Sequence, residues 1–369
     1  MTSSTRIRVG VIGANGQGRW GSRAHVPTFL ALPETDVVAV CTAHRETAEA
    51  AARNFNVPRA YWDYHDIVND PNIDLISIAT QVPLHYPMAL AALQAGKHVF
   101  CEWPLALTTA QAEDLARTAQ ERRLHHTVDL QTRGSPPVLR LKELCEEGYV
   151  GRLLTFNMSI MLPTGIAPRP SHRRWITQAS GGGNALTIQG GHSIDILNWC
   201  LGDIVEVSAE VGVRLPVVRF SDTGEEVDVT APDTIAFVCR LANGAFGAVQ
   251  SSWVAWHGSG WRMEAYGTRG KLTATSQVTL QYGDVHLSGA RKDETAEHDI
   301  EVPDRLRWVS EVPSTDFVKY NVAQIARNMA EGIIQGHPTH PNFHDALHLH
   351  RVLEAVTRSA RERRWVAVE

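Results

Sequence analysis

The chain has 369 residues, too many for one ordinary hydrophobic core, so two domains are expected. Its 43% hydrophobic and 20% charged residues are those of a globular protein, and a net charge of −5 argues against nucleic acid as the main partner. No apolar run approaches the ~20 residues of a membrane span.

Met1 to Ser4 leads straight into an apolar run, so no signal peptide is expected. The cysteines (Cys41, Cys101, Cys145, Cys200, Cys239) have no zinc spacing. They read as small buried hydrophobes in a reducing compartment, and a cytoplasmic location is expected.

The run Val9 to Ile12 stops at Gly13 and reads as a buried parallel strand feeding a tight turn. Glycine lets such a turn approach a pyrophosphate, which then rests on free N–H groups of the next helix. The spacing is unusual. Asn15 stands where a second glycine belongs, and a literal G-x-G-x-x-G falls later, at Gly16, Gly18 and Gly21. Gly13 to Trp20 is read as a lengthened phosphate loop.

A helix follows from Ala24 to Leu32, then strands and helices alternate: Val37 to Cys41, Glu46 to Asn54, a short strand near Tyr61, Ile73 to Ala79, Leu84 to Leu93, His98 to Cys101, a Thr108-capped helix to Arg123, and His126 to Leu130. This rhythm predicts an α/β Rossmann dinucleotide-binding domain over 1–130, with ligand at the carboxyl ends of the strands.

From Gln131 the rhythm changes. A helix over Pro136 to Glu147, a strand over Leu153 to Ile160, a break at Gly181-Gly182-Gly183 and a helix over Leu186 to Cys200 come first. Longer strands follow at Val205 to Val213, Ile235 to Leu241, Ala245 to Trp253 and Trp261 to Tyr266, with turns at Asn243-Gly244 and Gly267 to Gly270. Pro216 to Asp233 and Ser288 to Pro303 read as loops. The pattern predicts an α+β domain with an open, mostly antiparallel sheet over 131–369, for substrate binding and oligomerisation. Its C-terminal helix is expected to pack back on the first domain, and a homodimer or larger assembly is expected.

The residue ending the second strand normally selects the dinucleotide: an acid binds the ribose hydroxyls of NAD, whereas cations suit the 2′-phosphate of NADP. Here Cys41 is followed by Thr42, Ala43, His44 and Arg45, with no acid. Thr42, His44 and Arg45 are read as phosphate ligands, and NADP is favoured over NAD. Ala79, Thr80, Gln81 and His85 lie just past a strand, where Gln81 and His85 reach ribose or nicotinamide. Glu102 ends the fifth strand and points at the cofactor ribose. Trp103 has an indole N–H that donates one hydrogen bond and a ring that stacks, but it is no proton carrier.

The order of Val9 to Gly13, Ala79-Thr80, Gly96 to Val99 with Cys101-Glu102-Trp103-Pro104, and Gly181 to Gly183 followed by His192 resembles the glucose–fructose oxidoreductase/inositol dehydrogenase (Gfo/Idh/MocA) family over nearly the whole chain. The long first loop with Trp20 and His25, the tryptophan after Glu102, and Leu130 to Pro136 resemble the subgroup containing the yeast galactose-regulon repressor. The resemblance implies an NAD(P)-dependent oxidoreductase acting on a carbinol or keto group of a sugar-like or polyol substrate. The subgroup implies the alternative: a catalytically inactive dinucleotide-binding regulator acting through protein contacts.

The family pattern has lysine after the glutamate, as proton relay, and an aspartate four residues before the histidine. This chain has Trp103 and Ile188 there. Lys97 opens the strand that ends at Trp103, roughly 20 Å away at ~3.3 Å per residue. His192 is left as the acid/base, since its intrinsic pKa suits proton transfer. The resemblance implies that Gly13, Asn15, Gly16, Gly18, Trp20, Gln131 and the residues above hold the cofactor. Trp103, Arg133, Trp175, Gln189 and His192 are expected at the substrate, with Arg173 and Arg174 able to polarise it and Asp195 able to orient His192. His344 and His348 share a helix face but lack partners at metal spacing, so no metal is expected.

Overall fold

The computed structural model describes residues 6–16 and 19–369. Chain contacts divide it into two units, Met1–Gly134 with Arg307–Leu347, and Ser135–Leu306 with His348–Glu369.

The chain opens with β1 (Ile7–Ile12), then one wide helical turn (Gly21–His25) running into α1 (Val26–Ala31). There follow β2 (Thr35–Cys41), α2 (Arg45–Phe55), β3 (Arg59–Tyr61), α3 (Tyr64–Asn69), β4 (Leu75–Ile78), α4 (Val82–Gln94), β5 (His98–Glu102), α5 (Thr109–Glu121) and β6 (His126–Asp129). The strands form one six-stranded sheet, order β3-β2-β1-β4-β5-β6, and every pair in it is parallel. Leu75 to Ile78 are all buried, as a strand covered on both faces requires. The Thr108 hydroxyl caps α5 by accepting from the Gln111 N–H. The first helix is not the continuous Ala24 to Leu32 of the sequence reading. Pro27, near the start of α1, has no N–H to donate to the preceding turn, and the backbone there widens.

The chain continues with α6 (Pro136–Glu146), β7 (Leu153–Met161), α7 (Gly191–Leu201), β8 (Ile204–Gly212), β9 (Val217–Arg219), β10 (Glu226–Asp228), β11 (Thr234–Leu241), β12 (Phe246–Ser252), β13 (Gly260–Gly267), β14 (Gly270–Ser276), β15 (His286–Arg291) and β16 (His298–Asp299). It closes with α8 (Phe317–Gln335), α9 (Phe343–Glu362) and β17 (Val366–Ala367). The second sheet has nine strands, order β16-β15-β14-β13-β7-β12-β11-β8-β17. It is antiparallel except for β12 beside β7. Along β11, Ile235, Phe237, Cys239 and Leu241 are buried and Ala236 and Arg240 exposed, so one face is covered and the other open.

Two stretches expected to be loops contain strands. β9 and β10 form a hairpin within 216–233, and β15 with β16 occupies part of 286–299. β9, β10 and β16 are two or three residues long, too short for the alternation of a strand to show.

The expected continuous second domain, 131–369, also differs from the contacts: 307–347 groups with the first unit. The reason is the apolar stripe Val318, Val322, Ile325 and Met329 on α8, which shares one core with Val9, Val11, Phe29 and Phe100. Phe29 is fully buried, with its ring edge-on to Phe100 at 5.4 Å. Phe29→Ala is expected to lower stability by about 3–5 kcal/mol, measured as a shift in the urea unfolding midpoint at unchanged slope.

Candidate active site

In the first unit the loop after β1 lies where the strand order reverses, between β1 and β4, the usual crevice for a dinucleotide. Gly13 has φ +99°, and a Cβ on it would lie 2.2 Å from the Ala79 carbonyl oxygen, so only glycine fits between the two strand ends. Its N–H donates to Cys41 O at 2.9 Å. Asn15 is half-buried and Gly16 exposed. Gly18 lies outside the described residues. Asn15 and Gly16 thus offer backbone at the mouth of the crevice, and a pyrophosphate fits this cradle.

Behind the loop sits a charge cluster. The Trp20 indole N–H donates to Glu102 Oε1 at 2.5 Å. His25, wholly buried, has Nε2 2.5 Å from the same oxygen and 3.5 Å from Asp129 Oδ2, with Nδ1 2.7 Å from Ser77 Oγ. Glu102 and Asp129 are register partners at the ends of β5 and β6, which is why two acids converge there. Burial alone would push His25 down, but its bonds to Asp129 and Glu102 prevail and hold it up, at about 9. Burial and then the Asp129 charge push the Glu102 carboxyl up against the pull of His25. Sequence reasoning placed Trp20 and Glu102 at the cofactor but missed His25 as their partner and missed Asp129. The available signal was the two acids ending adjacent strands.

The end of β2 presents Thr42, His44 and Arg45. The Thr42 hydroxyl donates to His44 O at 3.0 Å and lies 2.6 Å from the Thr47 hydroxyl, so it shapes the turn. His44 is exposed. The exposed Arg45 guanidinium meets Glu49 at 2.8 Å and lies 5.0 Å over the Trp62 ring. At the end of β4, Ala79 is buried, Thr80 half-buried and Gln81 exposed at the start of α4. His85 differs from expectation. It is 1% exposed, with Nδ1 2.7 Å from Pro104 O and Nε2 3.1 Å from Thr80 O, so it braces two turns instead of reaching outward. Burial pushes its pKa down.

Trp103 is 4% exposed and joined to Pro104 by a cis peptide bond. Gln131 is 3% exposed, and its side-chain carbonyl has no partner among the described residues, so a ligand N–H or O–H would complete it. Arg133 pairs with Asp345 at 3.3 Å, and His340 meets the same carboxylate at 2.7 Å. Its charge is therefore committed within the unit, which weakens its assignment to substrate.

In the second unit, Trp175 stacks so close to the glycine break that a Cβ on Gly183 would lie 2.2 Å from its ring. Trp175 and Ile188 pack on a small core of Ile176, Ala185 and Trp253. Ile188 sits in the wide turn Leu186–Gly190, which leads into α7. Gln189 and His192 follow, 6% and 4% exposed, and the Gln189 side-chain carbonyl also lacks a partner among the described residues. Asp195 is buried one turn on. Arg174 pairs with Glu225, and both are half in solvent. Lys97, beside the start of β5 in the first unit, is buried and donates to the Asp70 and Ile73 carbonyls.

Because His25 and Glu102 are both held above their ordinary pKa, the folded state binds their protons more tightly than the unfolded chain. The stability they contribute is present below about 6.5 for His25 and is lost as pH rises towards about 9. The Glu102 contribution fades earlier, from above the carboxylate range. Melting temperature should therefore fall from pH 6.5 to pH 9, and His25→Gln should flatten the upper part of that fall.

Residues 7–130 match the model of the oxidoreductase family with an NAD-binding Rossmann fold, and residues 138–273 match the C-terminal domain model of the same GFO/IDH/MocA group. Dehydrogenase aclE of Aspergillus oryzae is 33% identical over 235 residues, 60% of this chain and 62% of that protein. Levoglucosan dehydrogenase of Pseudarthrobacter phenanthrenivorans is 28% identical over 387 aligned positions, 98% of each chain. A solved levoglucosan dehydrogenase, in complex with NADH and L-sorbose, superposes with a TM-score of 0.84 at 26% identity over 99% of each chain. The galactose/lactose metabolism regulatory protein GAL80 of Saccharomyces cerevisiae is 30% identical over 64% of this chain and 58% of its own. Together with the six-stranded parallel sheet and its glycine turn, these matches show that the chain belongs to the GFO/IDH/MocA oxidoreductase family.

Proposed function

We propose that the protein is an NADP-preferring dehydrogenase of a sugar-like or polyol carbinol, with His192 as acid/base. The observation that carries this reading is the set of polar groups kept in buried positions. The Gln131 and Gln189 side-chain carbonyls have no partner among the described residues, and His192 stays beside Gln189 on the same helical run. Burying a polar group without a partner costs free energy, so a polar ligand is the natural complement.

The dinucleotide supplies hydride acceptance or donation when bound. Everything else falls to the chain. Gly13, Asn15, Gly16 and, by its sequence position, Gly18 offer backbone to the pyrophosphate. Glu102, fixed by Trp20 and His25, holds a ribose hydroxyl. Ala79, Thr80 and Gln81 form the wall at β4. Within the first unit Trp103 gives a flat apolar surface and Gln131 a free carbonyl for a sugar-like ligand; within the second, Trp175 gives such a surface and Gln189 such a carbonyl. His192 takes the hydroxyl proton in oxidation and returns it in reduction.

The preference for NADP rests on the missing acid after Cys41 and on Arg45. Its pair with Glu49 is exposed and worth little, so the guanidinium is free to turn to a phosphate. A homodimer through the open face of the second sheet is part of the same proposal. That face carries Phe246 and Tyr266, 40% and 36% exposed, flanking Thr155 in register. The regulator reading is favoured by Trp103 and Ile188 and by the likeness to GAL80.

Purified protein should reduce NADP⁺ with at least one member of a panel of sugars, sugar acids and cyclitols. His192→Ala should lower kcat by about 10²–10⁴ with cofactor affinity kept. Tight cofactor binding without turnover, before and after Trp103→Lys, would sink the enzyme and favour the regulator. Arg45→Ala should weaken NADP⁺ binding about tenfold and leave NAD⁺ binding unchanged, by isothermal titration. Equal losses for both would remove the assignment of Arg45 to the 2′-phosphate.

A further inference from the structure

At the end of β2 the exposed Arg45 has a second neighbour besides Glu49. Its guanidinium carbon lies 5.0 Å over the ring of Trp62. Arg45 opens α2, and Trp62 is the first residue past β3. β2 and β3 run parallel with Cys41 opposite Tyr61, and the Thr42 N–H donates to Tyr61 O at 3.1 Å. Trp62 thus stands at the same level of the sheet as Thr42, at the carboxyl ends where a dinucleotide binds. It is 47% exposed, so much of the ring is open to solvent.

The two contacts of Arg45 differ in kind. Glu49, one turn along the same helix, takes the Nε–H at 2.8 Å. That uses one guanidinium donor and offsets the charge. An aromatic ring attracts the cation through its electron-rich face and takes no donor. Contact with Trp62 therefore leaves the guanidinium fork available to a phosphate, which it fits in bidentate fashion. It also removes rotamer freedom from a long exposed side chain in advance, so less is lost when a ligand binds.

Acids lie nearby as well. Asp63, next to Trp62, caps α3 by accepting the His65 N–H at 2.9 Å. Asp63 and Asp66 are also the charges that act on the buried Cys41 thiol at the end of β2. The end of β2 is thus within reach of both signs. Held at this place, Arg45 offsets the acids; swung into solvent, it leaves them to repel a phosphate.

We infer that Trp62 is a positioning residue that sets the preference for NADP over NAD, by holding Arg45 where the 2′-phosphate meets it; this rests on the assignment of Arg45 to that phosphate. The ring acts through the guanidinium, so its contribution exists only while Arg45 is present and only for the phosphorylated cofactor.

The test compares the full chain with Trp62→Leu, Trp62→Phe, Arg45→Ala and the double variant Arg45→Ala/Trp62→Leu, by isothermal titration with NADP⁺ and with NAD⁺. Trp62→Leu should weaken NADP⁺ roughly two- to fivefold, the size of an exposed cation–π contact, and leave NAD⁺ unchanged. Trp62→Phe, which keeps a ring face, should restore most of the affinity. In the double variant the loss should equal that of Arg45→Ala alone, since the ring then has nothing to hold. A merely structural role would weaken both cofactors together, or add to the Arg45 loss, and either result would overturn the inference. Unchanged NADP⁺ affinity in Trp62→Leu, beside a selective loss in Arg45→Ala, would overturn it and leave the reading of Arg45 intact. Arg45→Ala without a selective loss would remove that reading and the inference with it.

Discussion

The imidazole of His25 and the carboxyl of Glu102, 2.5 Å apart, join the segment after the first strand to the end of β5, two strands away in the first sheet. His25 ends the wide turn after the glycine loop, and Glu102 ends β5. Through that contact the Trp20 ring and the strand that delivers Trp103 meet at one carboxyl. Ser77 holds the other ring nitrogen and Asp129 adds a second negative charge, so the imidazole is braced from three strands of the sheet. A buried cation among carboxyls is stable only while all its partners stay in place. This makes the positions of Trp20 and His25 depend on the whole cluster.

That dependence bears on why tryptophan can replace the usual lysine after Glu102. A lysine beside Glu102 would bring a cation to the carboxyl. Here His25 supplies it from the other side, and Trp20 adds a neutral donor to the same oxygen. Trp103 is left as a nearly buried aromatic surface. The charge beside the glutamate is thus supplied without a lysine.

Much of this was legible in the sequence. The apolar strands, the glycine turn, Thr108 as cap and the absence of an acid after Cys41 are local facts, and local physical chemistry reads them. Long-range pairings were harder. Asp129 gains meaning only once β5 and β6 lie in register. His85 looked like a ligand residue because its sequence position is at a strand end, yet two backbone carbonyls, from Thr80 and Pro104, claim its ring. Arg133 likewise meets Asp345, more than two hundred residues on. Strands such as β9 and β10 escaped because three residues are too few to show a period.

The placement of α8 has a consequence for how the protein is made. Its stripe, Val318 to Met329, completes the core that begins with Ile7 and Val9. During synthesis the first 134 residues leave the ribosome with one apolar face of their sheet bare. They stay so while the whole intervening unit is being translated. At ~5–20 residues per second that interval lasts on the order of ten to forty seconds. The nascent chain must pass this time either bound by a chaperone or held loosely against itself, and a helix that appears near the end of synthesis closes the first domain to form.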